Sequence, residues 1–255
     1  MLTIHDSDLQ QWVVQFLWPL TRILGCIAVV PLFSHPSIPN RIKLTIGFII
    51  TLALVPGIQV PNIAVLSWQG LFSLLAQFLI GISMGFVMRL MFTAVELAGF
   101  MMGMSMGLGF ASFYDPHTEG QTIAVAQMLT MLTLMVFMSL DGHLIVIAVM
   151  MQSFETMPIG MTHWQLNSQA IASIGGHIFS QGLLMSLPVI ASLLITNMAL
   201  GVLTKAAPQL NLFAMGFPIT IAVGFIMILL GLPSLIHPVE DWMIDAQQYM
   251  LQVLH

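Results

Sequence analysis

One segment of this chain is spelled like a catalytic motif. Gly103-Met104-Ser105-Met106-Gly107 satisfies G-x-S-x-G. In hydrolases that pattern lifts a nucleophilic serine on a sharp turn between a strand and a helix, with a histidine placed to take its proton. His143, His163 and His177 are available as the base, which would describe an intramembrane serine hydrolase. The setting speaks against it, because the motif lies within a long apolar, helix-like run. A small residue on a packing face explains Ser105 more simply. The eight histidines make no H-E-x-x-H and no close cluster. Neither a metal site nor a cofactor is expected, and the chain does not read as an enzyme.

The same residues make better sense as packing. They belong to the longer stretch Gly99–Pro116, G-F-M-M-G-M-S-M-G-L-G-F-A-S-F-Y-D-P. Gly99, Gly103 and Gly107 recur at four-residue spacing, so on a helix they line one face and admit another backbone. Met101, Met102, Met104 and Met106 surround that notch with flexible, polarizable side chains that re-pack against a changing neighbour. Gly109 breaks the pattern, Phe110, Phe113 and Tyr114 follow, and Asp115-Pro116 stops any helix. A tight seam running into a bulky loop suits a closable passage. The plainer alternatives are aromatics anchored at a membrane interface and an aspartate that caps the next turn.

Composition requires a membrane setting for these elements. The chain holds five basic and ten acidic residues in 255, 58% of it is hydrophobic, and mean hydropathy is +0.98. Ordinary globular domains carry roughly 25% charged residues. The formal charge of −5 offers no basic patch, so nucleic acid is not an expected partner, whereas membrane lipid is. Cys26 is the single cysteine, which excludes a disulfide within the chain. The N-terminus, M-L-T-I-H-D-S-D-L-Q-Q, lacks a basic n-region and a cleavage site, so the first apolar run is expected to act as an uncleaved anchor.

That run extends from Trp12 to Phe33 and is interrupted by Arg22. An arginine at the centre of a lipid-facing helix costs about 2.5–3.5 kcal/mol on insertion scales. Arg22 is therefore expected to face a protein partner or to snorkel, with a direct functional role as the alternative. The connector Ser34–Lys43 carries Arg41 and Lys43, which places it in the cytoplasm by the positive-inside rule. A second apolar run, Leu44–Val60, is broken near Pro56-Gly57 and Pro61. The third, Trp68–Phe110, contains no proline and would reach roughly 60 Å as one helix. A bilayer core is about 30 Å thick, so much of this helix is expected to be buried in protein outside the lipid.

An acidic loop, Ala111–Thr122, leads to an apolar run at Ile123–Met151 that holds Asp141-Gly142-His143, then a connector at Gln152–Asn167. The last third reads as a helical hairpin: Ala170–Leu203 with a kink at Pro188, a turn at Thr204–Asn211, and Leu212–Ile236. The tail from Pro238 reads as a short amphipathic helix lying against a partner or the membrane. Lys205 in the turn would also face the cytoplasm, but the number of crossings between it and Arg41 comes out odd unless the third run stays whole. Some apolar segments are therefore expected not to cross. A solute transporter with broken helices and intramembrane charges at Arg22, Arg89, Glu96 and Asp141 is a second reading. No inverted repeat of comparable halves supports it.

Three separated motifs carry a resemblance over nearly the whole chain. They are V-P-L-F-S-H-P-S-I-P-N-R-I-K, the glycine run into G-L-G-F-A-S-F-Y-D-P, and K-A-A-P-Q-L-N-L-F-A-M-G-F-P. Together they resemble the FliR family of type III export-gate proteins, and their wording is closer to flagellar than to virulence-system members. The resemblance implies an all-α membrane protein of long kinked helices, packed in a helical hetero-oligomeric export gate and ending in a helical hairpin. It implies FliP and FliQ subunits and FlhB as partners, and unfolded flagellar subunits as cargo passing the inner membrane at the basal body. Residues 1–167 would mimic FliP, 168–237 would form a FliQ-like hairpin, and 238–255 would be the tail. Phe110, Phe113, Tyr114, Asp115 and Pro116, within a loop at 110–122, would resemble a plug. Lys205, Pro208 and Gln209 in the hairpin turn would be a contact for FlhB or for cargo.

Overall fold

The computed structural model describes residues 6–61, 63–65, 67–110, 124–160, 168–207 and 212–252, and no strand occurs among them. The helices are α1 (Asp6–Val29), α2 (Pro31–Ser34), α3 (Asn40–Leu54), α4 (Trp68–Ser105), α5 (Ala124–Ser139), α6 (Gly142–Thr156), α7 (Ser168–Ala206) and α8 (Leu212–Gln252). Single 3₁₀ turns lie at Val55–Gly57 and Leu108–Phe110. Among the described residues, four stretches are long and apolar enough to cross a membrane: Asn40–Gly57, Trp68–Ser105, Ala172–Ala206 and Met215–Pro233. The broken pair α5 and α6 passes the same test together. This is an all-α membrane protein.

Proline, glycine and aspartate set the helix ends. Val30 is extended (φ −57°, ψ 128°) because Pro31 follows it, and Pro31 then opens α2, where a missing N–H is harmless. Pro56-Gly57 ends the helical stretch that begins at Asn40. With no proline in its path, and its glycines tolerated inside the helix, α4 runs unbroken for 38 residues, about 57 Å at about 1.5 Å per residue. Of its apolar window, 56% is buried within the protein, in line with the expected protein burial.

Three expectations are corrected. The run Ile123–Met151 is two helices, because Asp141 adopts a left-handed conformation (φ 55°, ψ 29°) that aspartate tolerates better than most residues. The second of these helices continues to Thr156, through residues expected to be a connector. The second hairpin arm and the tail are one helix, since α8 passes through Pro238 without a break.

Two compact units form. The first comprises Met1–Leu90, Asp141–Ile174 and Met243–His255; the second comprises Met91–Leu140 and Gly175–Trp242. Their limits fall inside α4, α7 and α8 and at the break between α5 and α6. The first unit has a core of Val14, Trp18, Phe154 and Ile159, covered by Ile58, Val60, Ile63, Val65 and Leu74. Met243, Ala246 and Met250 are buried there as well, so the amphipathic stripe of the tail lies against this chain itself. In the second unit, the last turns of α4 meet α5, α7 and α8 around an apolar crevice lined in part by Val95, Leu129, Met185 and Leu232.

Candidate functional site: the glycine and methionine seam of α4

Each neighbour in the second unit reaches α4 through a residue without bulk. A Cβ added at Gly99 would lie 2.6 Å from Cα of Ala126 on α5, so the two backbones touch. A Cβ at Gly182 of α7 would lie 2.8 Å from the carbonyl oxygen of Ala94. Close approach of this kind lets dispersion act along the backbone itself. One turn further along, Ser186 Oγ faces Met101 Sδ at 3.6 Å. Phe92 and Phe137 meet edge to face, with centroids 5.6 Å apart. At the end of α4, Thr220 Oγ1 of α8 donates to the Met106 carbonyl at 3.1 Å, and Gly224 abuts the Met106 side chain. Met102 and Met106 are fully buried, whereas Met104 is half exposed.

Gly99 and Gly103 are both buried on α4. Gly107 departs from the expected glycine face. The helix ends at Ser105, and Gly107 has φ +87°, the left-handed conformation that commonly follows a helix end and that glycine alone adopts without strain. Ser105 Oγ donates to the Met101 carbonyl at 2.9 Å, an ordinary back-bond of a helical serine. The G-x-S-x-G spelling thus falls on a helix end, with no strand before it. Phe110 closes the 3₁₀ turn Leu108–Phe110. Phe113, Tyr114, Asp115, Pro116, Pro208, Gln209 and His163 lie outside the described residues. Lys205 is exposed in the last turn of α7, where its charge complements the helix dipole.

A second constellation, in the first unit, has partners that the sequence did not reveal. Arg22 of α1 is fully buried. Its Nε donates to Gln77 Oε1 of α4 at 2.7 Å, Nη1 to the Ser153 carbonyl at 2.7 Å and to Ser153 Oγ at 3.1 Å, and Nη2 to the Met157 carbonyl at 2.7 Å. The guanidinium also lies over the Phe154 ring, 4.1 Å from its centroid. Four of its five N–H groups are thereby used. The carbonyls of Ser153 and Met157 close α6, so the cation sits at the negative end of that helix. Arg22 therefore neither snorkels nor needs a partner subunit, since its own chain surrounds it. Beside it, Gly25, Gly81 and Gly85 let α1 and α4 touch; a Cβ at Gly25 would come within 2.6 Å of the Phe78 carbonyl. The spacing Gln77, Gly81, Gly85 on one helical face was the available signal.

A family model described as bacterial export proteins, family 1, matches residues 13–246. The chain belongs to that family. The flagellar biosynthetic protein FliR of Pectobacterium carotovorum subsp. carotovorum is 42% identical over 237 residues, 91% of this chain and 90% of the relative. FliR of Escherichia coli (strain K12) is 39% identical over 241 residues, 93% of this chain and 91% of the relative. FliR of Bacillus subtilis (strain 168) is 27% identical over 218 residues, with 84% of each chain covered. This export protein is thus similar to FliR along almost its full length. The matched residues include both the Arg22 constellation and the α4 seam.

Proposed function

We propose that this export protein is a subunit of the flagellar type III export gate, assembling with FliP-like and FliQ-like subunits beside an FlhB-like component. Its place is the bacterial inner membrane at the flagellar basal body, and its cargo is unfolded flagellar subunits. In this reading the first two thirds mimic a FliP-like subunit and the α7–α8 arms a FliQ-like one. Family membership across residues 13–246 carries the reading. The distribution of burial supports it. The apolar window of α4 is 56% buried, but those of Ala172–Ala206 and Met215–Pro233 are only 22% buried. The two arms therefore present apolar faces, with Ile195, Met198, Val202 and Leu230 exposed, that suit neighbouring subunits and lipid. The chain performs no chemistry of its own in this role.

Within that gate, the segment Phe110–Pro116 serves as a seal. Bulky aromatics after a glycine-ended helix fill a narrow passage and exclude water and ions, as hydrophobic constrictions do. Lys205, Pro208 and Gln209 present a contact to FlhB or to cargo. Trimming Phe110, Phe113 and Tyr114 to alanine should leave the complex assembled but leaky to small ions. Ion conductance of proteoliposomes carrying the complex measures this. A trimmed complex as tight as its parent would remove the seal from the proposal.

A further inference from the structure

Thr220 has one hydroxyl hydrogen and two carbonyl oxygens within its reach. The Phe217 oxygen on its own helix lies at 3.0 Å, and the Met106 oxygen on α4 lies at 3.1 Å. A hydroxyl donates once, so the hydrogen is shared or chosen between them. The Met106 carbonyl belongs to the last carbonyls of α4, which have no acceptor role inside their own helix. One turn beyond Thr220, Gly224 abuts the fully buried Met106 side chain, leaving no room for a Cβ. Gly107 follows immediately with φ +87°, then Leu108 and Gly109. A rigid helix is thus held at the residue that follows its last turn, and two glycines come after the hold.

We propose that Thr220 and Gly224 of α8 form a reversible catch on Met106 that releases the end of α4 without unfolding either helix. On release, the Thr220 hydrogen passes wholly to the Phe217 carbonyl, so α8 loses no hydrogen bond. The Met106 carbonyl loses its donor, so the catch stays closed until water or another donor replaces the hydroxyl. The thioether slides from the glycine notch by rotating about single bonds, which a β-branched side chain in the same place would resist. Gly107 is the pivot. This device concerns how the end of α4 is held, and it stands whether or not the later aromatics seal a passage.

The test uses the full-length chain in its native membranes, with Leu108→Cys as a reporter just past the pivot. The readout is the rate of reaction with a small membrane-permeant maleimide. Cys26 is fully buried, and the chain without the reporter gives the background. Thr220→Val, which removes the donor, should raise the rate roughly two- to tenfold, the population shift from losing one net hydrogen bond. Thr220→Ser, which keeps the donor, should leave it at the parental value. Gly224→Ala, which crowds Met106 with the donor intact, should also raise it. An unchanged rate in Thr220→Val, or an equal rise in Val and Ser, overturns the catch. If the Thr220→Val chain is not recovered, Gly224→Ala decides alone, and no rise there overturns it. A rise without ion leakage in the trimmed-aromatic complex would leave the catch standing while the seal fails; leakage without a rise would do the reverse.

Discussion

In the first unit, α1, α4 and α6 are joined by a buried cation; in the second, α4, α5, α7 and α8 are joined by glycines and thioethers. Both regions bring helix backbones into contact, at Gly25 and Gly85 in one and at Gly99 and Gly182 in the other. They differ in what surrounds the contact. Around Arg22 the partners are an amide oxygen, a hydroxyl, two helix-end carbonyls and an aromatic face, all fixed in direction. Around Gly99 and Met106 the partners are methionines, a serine near sulfur and a single shared hydroxyl. Directional bonds to a charged group permit one arrangement, because a displaced guanidinium leaves several buried acceptors empty. Thioether packing permits several arrangements of similar energy. One helix, α4, contributes to both kinds of region.

The comparison breaks most readily at Arg22. Arg22→Met should cost the most of any change considered, about 1–3 kcal/mol for each buried acceptor left empty. The expected result is little folded chain in the membrane and a lowered unfolding temperature for what is purified. Arg22→Lys should restore only part, since a compact ammonium cannot reproduce the planar fork. Full restoration by lysine would show that the region needs charge and not direction.

The next effect tests whether the second region depends on backbone contact. Gly99→Leu should cost about 1–3 kcal/mol or more, because the side chain meets the backbone of α5. Gly176→Ala on α7 is the control, as nothing lies within 4 Å of the position. It should be neutral or slightly stabilising, since alanine favours helix over glycine by about 0.8–1.0 kcal/mol. Thermal unfolding of the detergent-purified chain compares the two, and equal losses would mean that the seam has no special closeness.

The smallest effect belongs to the methionines. Met102→Leu, at a fully buried position, should cost under about 1.5 kcal/mol, because volume-conserving swaps are tolerated where packing is adaptable. A loss as large as that of Arg22→Met would erase the distinction between the regions.

The spine of the fold was legible in the sequence for physical reasons. Absence of proline from Trp68 to Phe110 allows one helix and forbids little else. Pro56-Gly57 announces its break because the lost N–H and the restricted preceding residue act locally, whereas the break at Pro31 falls inside the run expected from Trp12 to Phe33. Gly99 stands out in the sequence because a four-residue glycine spacing marks one helical face, and on the structure it lies against Ala126. The rest depended on groups that composition does not display. Two of the four hydrogen bonds of Arg22 go to backbone carbonyls, which any residue supplies, so neither Ser153 nor Met157 stood out. The break at Asp141 requires a left-handed aspartate, an option of that residue and not an obligation. The end of α4 at Gly107 was hidden because a glycine at four-residue spacing reads equally well as a face or as a stop. The continuity of α8 through Pro238 was missed because proline usually ends a helix, and here it does not.

The claim that this chain works as one subunit of an export gate is tested most directly by its mass in native membranes. Tagged full-length chain, extracted in mild detergent from its own host, is weighed intact together with whatever accompanies it. The expected result is a discrete complex containing this chain with small membrane proteins of the FliP and FliQ kinds in fixed ratio. A monodisperse, protease-resistant monomer, with no accompanying subunit, would contradict it.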